Sequence, residues 1–233
     1  ALGRAQRVVV KVGGGARNAG PELLEFMDLV DGAAVTSPLV SGVIPYGHRR
    51  NMTVGGSKGS ISGNSAMENA DLLVAIGSRF VCQADCSRTG YPNARHVINI
   101  NADPEAATHY GSTTSLVGDA AATLRSLNNT LRELGFAPGE TPSDWMRECA
   151  TQRRSWDEHK ARRYASPTLY DPVWEQEVLT QPAAIKAASD WARENDAVVF
   201  FDAGDVQANG FLPCFREMLY RQRRQDRAIG PAP

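Results

Sequence analysis

The feature that most constrains this chain is a series of short β-branched runs, each followed by a turn and then by a stretch with helical spacing. Residues 7–12 (RVVVKV) stop at Gly13-Gly14-Gly15, and residues 21–30 then set Leu23, Leu24, Phe26, Met27 and Val30 at helical intervals. A second run, residues 33–36, follows almost at once. Strand, turn, helix and strand at this spacing form a βαβ unit, whose strands must pair in parallel because the chain crosses over before it returns. Residues 72–76 (LLVAI), 96–100 (HVINI) and 115–117 continue the series. Pro104 opens a helix at a position proline tolerates, and Asp119 has the character of an N-cap for a helix reaching about Leu134. The alternation predicts an α/β fold: a doubly wound, mostly parallel, Rossmann-like sheet with right-handed crossovers.

Three other stretches set the expected organisation. Residues 37–63, with SGVIPYG and VGGSKGSISG, read as a long irregular region, which is usually functional, and residues 64–71 as a short helix. Residues 137–170 turn polar and charged and read as a linker containing one exposed helix. The pattern restarts with the apolar face of residues 182–193 (Ala184, Ile185, Ala188, Trp191), the strand 197–201 and the turn Asp202-Ala203-Gly204, and no further strand is read after Phe215. An α/β unit with an open strand edge cannot bury itself, so the chain is expected to be a fragment. The domains are drawn at 1–137, 138–175 and 176–233, the last being the truncated start of a second α/β domain.

Of 233 residues, 42% are hydrophobic and 22% charged, enough for a sizeable core. Lys plus Arg number 25 and Asp plus Glu 26, so there is no electrostatic drive toward nucleic acid or an anionic membrane. No apolar run approaches the roughly 20 residues that cross a bilayer, and the N-terminus has no signal-type core, so a cytoplasmic location is expected. Cys82 and Cys86 sit four apart, but no second close pair completes a tetrahedral metal site, and free thiols are the reading.

Ligands of open parallel sheets bind at the carboxyl ends of strands, where Gly13, Gly14, Gly15, Thr36, Gly77, Ser78, Arg79 and Asn99 fall. Three glycines let a backbone approach a phosphate, and the helix behind them offers unpaired N–H groups and a positive dipole end. GGGARNAG is not the dinucleotide pattern G-x-G-x-x-G, and a tight structural turn is the competing reading. Arg79 either meets a pyrophosphate or a flat ring, or bridges to Asp85. Lys58 reads as a mobile loop lysine. His48, His96, His109 and His159 are scattered, and no carboxylate pair is marked out for acid/base work.

The ordered series VGGGARNAG, TSPLVSGVIP, GGSKGSISGNSAMENADLLVAIGSRF, HVININADPE and LVGDAAATLRSL, over about residues 5–135, resembles the central domain of the thiamine-diphosphate enzyme superfamily, which includes acetolactate synthase. VVFFDAGDVQANGF resembles the opening strand of that superfamily's C-terminal cofactor domain, with Asp202, Gly204 and Gln207 at the positions that approach the diphosphate. The GNSAMENADLLVAIGSRF region and HVININ look closest to the trihydroxycyclohexanedione hydrolase branch.

The resemblance implies a parent enzyme that uses thiamine diphosphate and Mg²⁺ on 2-oxo acids or diketones, by carboligation, decarboxylation or C–C hydrolysis, as a homo-oligomer. For the central domain it implies a site for FAD or ADP at Gly13, Gly14, Gly15, Thr36, Gly56, Gly77, Ser78, Arg79, Gly118 and Asp119. Asn99 and Asn101 stand where the family commonly has acids, which weakens a ribose contact. The pyrimidine-binding domain would precede Ala1 and the metal-diphosphate motif would follow Phe215, so this chain alone is expected to be inactive, with no catalytic residue of its own. A stand-alone adenine-nucleotide module and a purely structural domain are the alternatives.

Overall fold

The computed structural model describes residues 1–40, 42–57, 59–79, 85–86, 89–108, 112–200 and 228–229. Six strands form one sheet: β1 (Val8–Val12), β2 (Ala33–Thr36), β3 (Asn51–Val54), β4 (Leu72–Ile76), β5 (His96–Asn101) and β6 (Thr113–Val117). Their order is β3-β2-β1-β4-β5-β6, and every pairing is parallel. The chain therefore winds outward from β1 in one direction, then returns to β4 and winds outward in the other. This is the doubly wound arrangement, with its switch point between β1 and β4.

Side chains alternate across the sheet, and both faces are covered, which is why the central strands read as unbroken apolar runs. Val8, Val10, Val12, Leu72, Val74, Ile76, Ile98 and Ile100 meet α1 (Gly20–Leu29) on one face, together with Leu124 and Leu131 of a later helix. Each fully buried Leu or Phe contributes about 1.5–3 kcal/mol to this layer. Pro21 in the first turn starts α1, and Gly32, whose N–H donates to the Met27 carbonyl at 2.9 Å, follows its end. Val9, Ala33, Val35, Leu73, Ala75 and Val97 meet α2 (Ile61–Asn69) on the other face. Ser60 caps α2 by accepting from the Gly63 N–H at 2.8 Å. The short α3 (Pro104–Ala107) has Asp103 as its N-cap. In α4 (Ala120–Glu133) the Asp119 carboxylate accepts from the Ala122 N–H at 2.9 Å, the capping role expected of it.

Three expectations are corrected. Residues 37–63 are not without regular structure: β3 pairs with β2, and α2 begins at Ile61. With Asn51 and Thr53 among its four residues and an irregular register, β3 carries too little apolar periodicity to be read from sequence. The helix expected to be an exposed part of a linker is α5 (Asp144–Ala165), and it packs on the second face of the sheet beside α2. Trp145, Met146, Cys149, Trp156 and Lys160 are buried along one side of it, a stripe diluted in the sequence by charged neighbours. After it come an antiparallel hairpin, β7 (Thr168–Asp171) and β8 (Gln176–Leu179), then α6 (Gln181–Glu194) and β9 (Val199–Phe200). The third correction is β10 (Ala228–Ile229), which pairs in parallel with β9 beyond Phe215, a two-residue strand too short to leave a pattern. Among the described residues, no helix is long and apolar enough to cross a membrane.

Candidate functional site

The carboxyl edge of the sheet gathers the turns after β1, β2, β3, β4, β5 and β6, and the crevice at the switch point lies between the first and fourth of these. The two turns flanking it touch. The Gly13 N–H donates to the Ile76 carbonyl at 2.8 Å and the Gly15 N–H to the Gly77 carbonyl at 3.0 Å. A Cβ on Gly13 would lie 2.4 Å from the Gly77 carbonyl oxygen, and one on Gly77, whose φ is +60°, would lie 2.5 Å from the Gly15 Cα. Gly13, Gly15 and Gly77 are thus required by turn-on-turn packing. Gly14 differs, being exposed with nothing within 4 Å of a Cβ placed there. A short helical turn, Gly14–Ala16, takes in the last two glycines of the triplet, and α1 begins only at Gly20.

From this contact the site residues link across the edge. Ser78 is buried, and its carbonyl accepts from the Asn101 side-chain amide at 3.1 Å. The Asn101 Oδ1 accepts from the Asp103 N–H at 3.1 Å, and the Asn101 carbonyl from the Gly118 N–H at 2.9 Å. Asn99 is fully buried; its amide donates to the Ala106 carbonyl at 2.8 Å, and its Oδ1 has no hydrogen-bond partner. Both asparagines therefore donate to a main-chain carbonyl, which a carboxylate cannot do. Arg79 is exposed and does not pair with the fully buried Asp85. On the other side, Thr36 is buried at the end of β2 and its carbonyl accepts from Gly55 at 3.3 Å. Gly56, with φ +124°, has its N–H and carbonyl both held by the Asn64 side chain, at 2.8 and 3.0 Å.

The structure thus brings Gly13, Gly15, Gly77, Ser78, Asn101 and Gly118 into one connected edge, with Gly14 and Arg79 facing solvent and Thr36 and Gly56 on the β3 side. Asp119 is engaged as a cap. Asp202, Gly204 and Gln207 lie outside the described residues, as do Lys58, Cys82 and His109. Cys86 and Cys149 are free thiols, and burial, with Glu148 nearby, pushes the Cys149 thiol up to about 12.

One charged residue beside the crevice was not singled out from the sequence. Lys11, in the middle of RVVVKV, is fully buried, and its ammonium donates to the Gly55 carbonyl at 2.9 Å. Burial pushes it down to about 7, against the opposing pull of Cys86 and Asp85. A lone cation inside a strand with both faces apolar was the signal available.

A cavity of about 430 Å³ lies at the opposite, amino edge, lined by Arg7, Asn69, Asp71, Pro92, Asn93 and Arg95. The Asp71 carboxylate there accepts from the N–H groups of Gln6 and Arg7.

Comparison with known proteins bears on the whole edge. Residues 1–127 match the family described as the thiamine pyrophosphate enzyme, central domain. Acetolactate synthase of Mycobacterium avium is 30% identical over 148 residues, 62% of this chain and 24% of that protein. The acetolactate synthase isozyme 3 large subunit of Escherichia coli K12 is 30% identical over 164 residues, 69% of this chain and 28% of that one. The 3D-(3,5/4)-trihydroxycyclohexane-1,2-dione hydrolase of Listeria innocua is 29% identical over 161 residues, 68% and 25% of the two chains. The matched region spans about a quarter of the length of these relatives. With the match covering more than half of the chain and the sheet wound about a single switch point, this protein belongs to the thiamine pyrophosphate enzyme central-domain family.

Proposed function

We propose that the chain is the central portion, with the start of the C-terminal cofactor domain, of an enzyme that uses thiamine diphosphate and Mg²⁺ on 2-oxo acids or diketones. The observation that carries this reading is the family match over residues 1–127, whose relatives are named as acetolactate synthases and a cyclohexanedione hydrolase. Thiamine diphosphate supplies the carbon–carbon chemistry when bound. The residues proposed to approach it, Asp202, Gly204 and Gln207, fall in the later segment. The parent enzyme is proposed to act as a cytoplasmic homo-oligomer on a small-molecule substrate.

The carboxyl edge is proposed as a site for the pyrophosphate of FAD or ADP, met by the Gly14 backbone and the Arg79 guanidinium, both of which belong to exposed residues. The fit is partial. The Gly13 and Gly15 amides are engaged by the turn after β4, and both polar atoms of the Asn101 side chain are engaged, so a ribose hydroxyl finds no anchor there. Those same engagements favour a second reading, in which the edge is a scaffold with no nucleotide.

Titration of the chain with FAD and with ADP, followed by tryptophan fluorescence, separates the two. Gly14→Val is a clean probe because a Cβ at that position meets nothing, and Arg79→Ala removes the exposed cation. Saturable binding weakened about tenfold or more by each substitution supports the nucleotide site. A folded chain that does not bind at high micromolar ligand leaves the scaffold reading. Carboligation or ring hydrolysis by the full-length protein, dependent on added thiamine diphosphate and Mg²⁺, tests the parent activity.

A further inference from the structure

Lys11 is on an inner strand of the sheet, fully buried between its covered faces. In register beside it are Val35 on β2 and Ala75 on β4. Its side chain runs past β2 to reach the Gly55 carbonyl, just after β3, two strand spacings or roughly 10 Å from its own backbone position. Gly55 is held in turn by its N–H on the Thr36 carbonyl, and a Cβ there would lie 2.4 Å from Val35 Cγ1 and 2.7 Å from Met67 Sδ. The Gly56 peptide is bracketed by Asn64, and the Ser60 N–H donates to the Val54 carbonyl at 2.8 Å. The turn after β3 is thereby stapled, through the buried Lys11 amine, to the strand that borders the crevice. The titratable groups facing that amine are Asp85 and Cys86, both from the segment after β4, with Glu68 of α2 acting on Cys86.

We infer that Lys11 is a proton-linked latch: lifting of the turn after β3 from the sheet opens its amine to water, and protonation of the amine favours that lifting. A fully buried ammonium with a main-chain carbonyl as acceptor is disfavoured relative to the same group in water. Its folded value near 7 lies below its ordinary value of 10.5. Opening therefore takes up a proton between those two pH values, so the open state becomes rarer as pH rises through that window and reaches its greatest population below it. The turn carries Gly55 and Gly56 at the edge of the crevice, so the latch sets how firmly that side of the edge is held at neutral pH. The inference stands apart from the nucleotide reading and needs no ligand.

The test is native-state hydrogen exchange on the full chain, following the amides of Gly55, Gly56 and Ser60, with opening constants corrected for base-catalysed intrinsic exchange. In the wild type the constant is expected to fall about tenfold per pH unit from about 7.5 to about 9.5, since one proton is taken up per opening. In Lys11→Met the same amides are expected to show no slope. A flat wild-type constant, or an undiminished slope in the variant, overturns the inference. Should Lys11→Met fail to fold, ¹³C titration of the Lys11 ε-carbon in the wild type decides: a midpoint near 7 supports the latch, and a midpoint near 10 overturns it.

Discussion

Asn99 and Asn101 show how the role of a side chain turns on a single atom. Both occupy positions where the resembled family commonly carries acids, and from sequence the change reads as a weakened ribose contact. In the folded chain each amide nitrogen donates to a carbonyl, Ala106 for one and Ser78 for the other. Asn101→Asp is expected to cost about 1–3 kcal/mol in urea unfolding, because the donor is lost and a carboxylate is set against the Ser78 carbonyl. The glycines sort in the same way. Gly77→Ala, at φ +60° and in contact with the turn after β1, is expected to lower the unfolding midpoint clearly, whereas Gly14→Ala leaves it within about 0.5 kcal/mol of wild type. An equal effect at both glycines would refute the turn-on-turn account. The residue types at this edge were legible in the sequence, but their partners were not, since Asn101 and Ser78 lie 23 positions apart and meet only because β4 and β5 pair.

Helix α5 carries the largest difference between expectation and structure at the level of elements. Its Arg and Lys residues suggested a solvated helix, yet Arg153 and Lys160 lie against the Tyr46 ring at 4.2 and 5.1 Å, and the Tyr46 hydroxyl donates to Asp157 at 3.0 Å. Asp157 also pairs with Lys160 at 2.7 Å. At the other end, the Trp145 indole N–H donates to the Val8 carbonyl at 3.3 Å, and Arg7 lies 5.2 Å over its ring. Cations whose stems bury apolar surface and whose charges meet aromatic faces do not register as core in a hydropathy pattern. Burial works against the Asp157 carboxylate, but Lys160, then Arg153 and the Tyr46 hydroxyl, outweigh it and hold it below its ordinary 3.8. A depressed carboxylate contributes stability that is present above its unfolded value and lost as pH falls through the folded one. Tyr46→Leu is therefore expected to destabilise the chain by about 1–3 kcal/mol at pH 7 and by less in acid, once the Asp157 carboxylate is protonated, measured by urea unfolding at both. A penalty unchanged in acid would separate Tyr46 from that charge cluster.

Over the whole molecule, large apolar side chains are unevenly placed. Val173, Trp174, Trp191 and Phe200 are 83, 70, 61 and 70% exposed, whereas most large apolar side chains before residue 166 are buried. The sheet and its four covering helices form two closed apolar layers that leave the hairpin and α6 with few buried groups of their own. A chain ending at residue 166 is expected to keep a cooperative urea transition within about 1 kcal/mol of the full chain, since neither layer draws on later residues. Loss of that transition would place the hairpin and α6 inside the same folding unit.

The sequence by itself determined the strands β1, β2, β4, β5 and β6, helices α1, α4 and α6, and the family, because these rest on local periodicity, caps and the order of short motifs. Tertiary structure alone decided that β3 completes the sheet, that α5 is a core element, that three glycines serve turn packing, and that Lys11 reaches Gly55 beneath β2. Each of those is a contact between residues far apart in the chain, and its energy comes from burial and pairing that exist only once the sheet has formed.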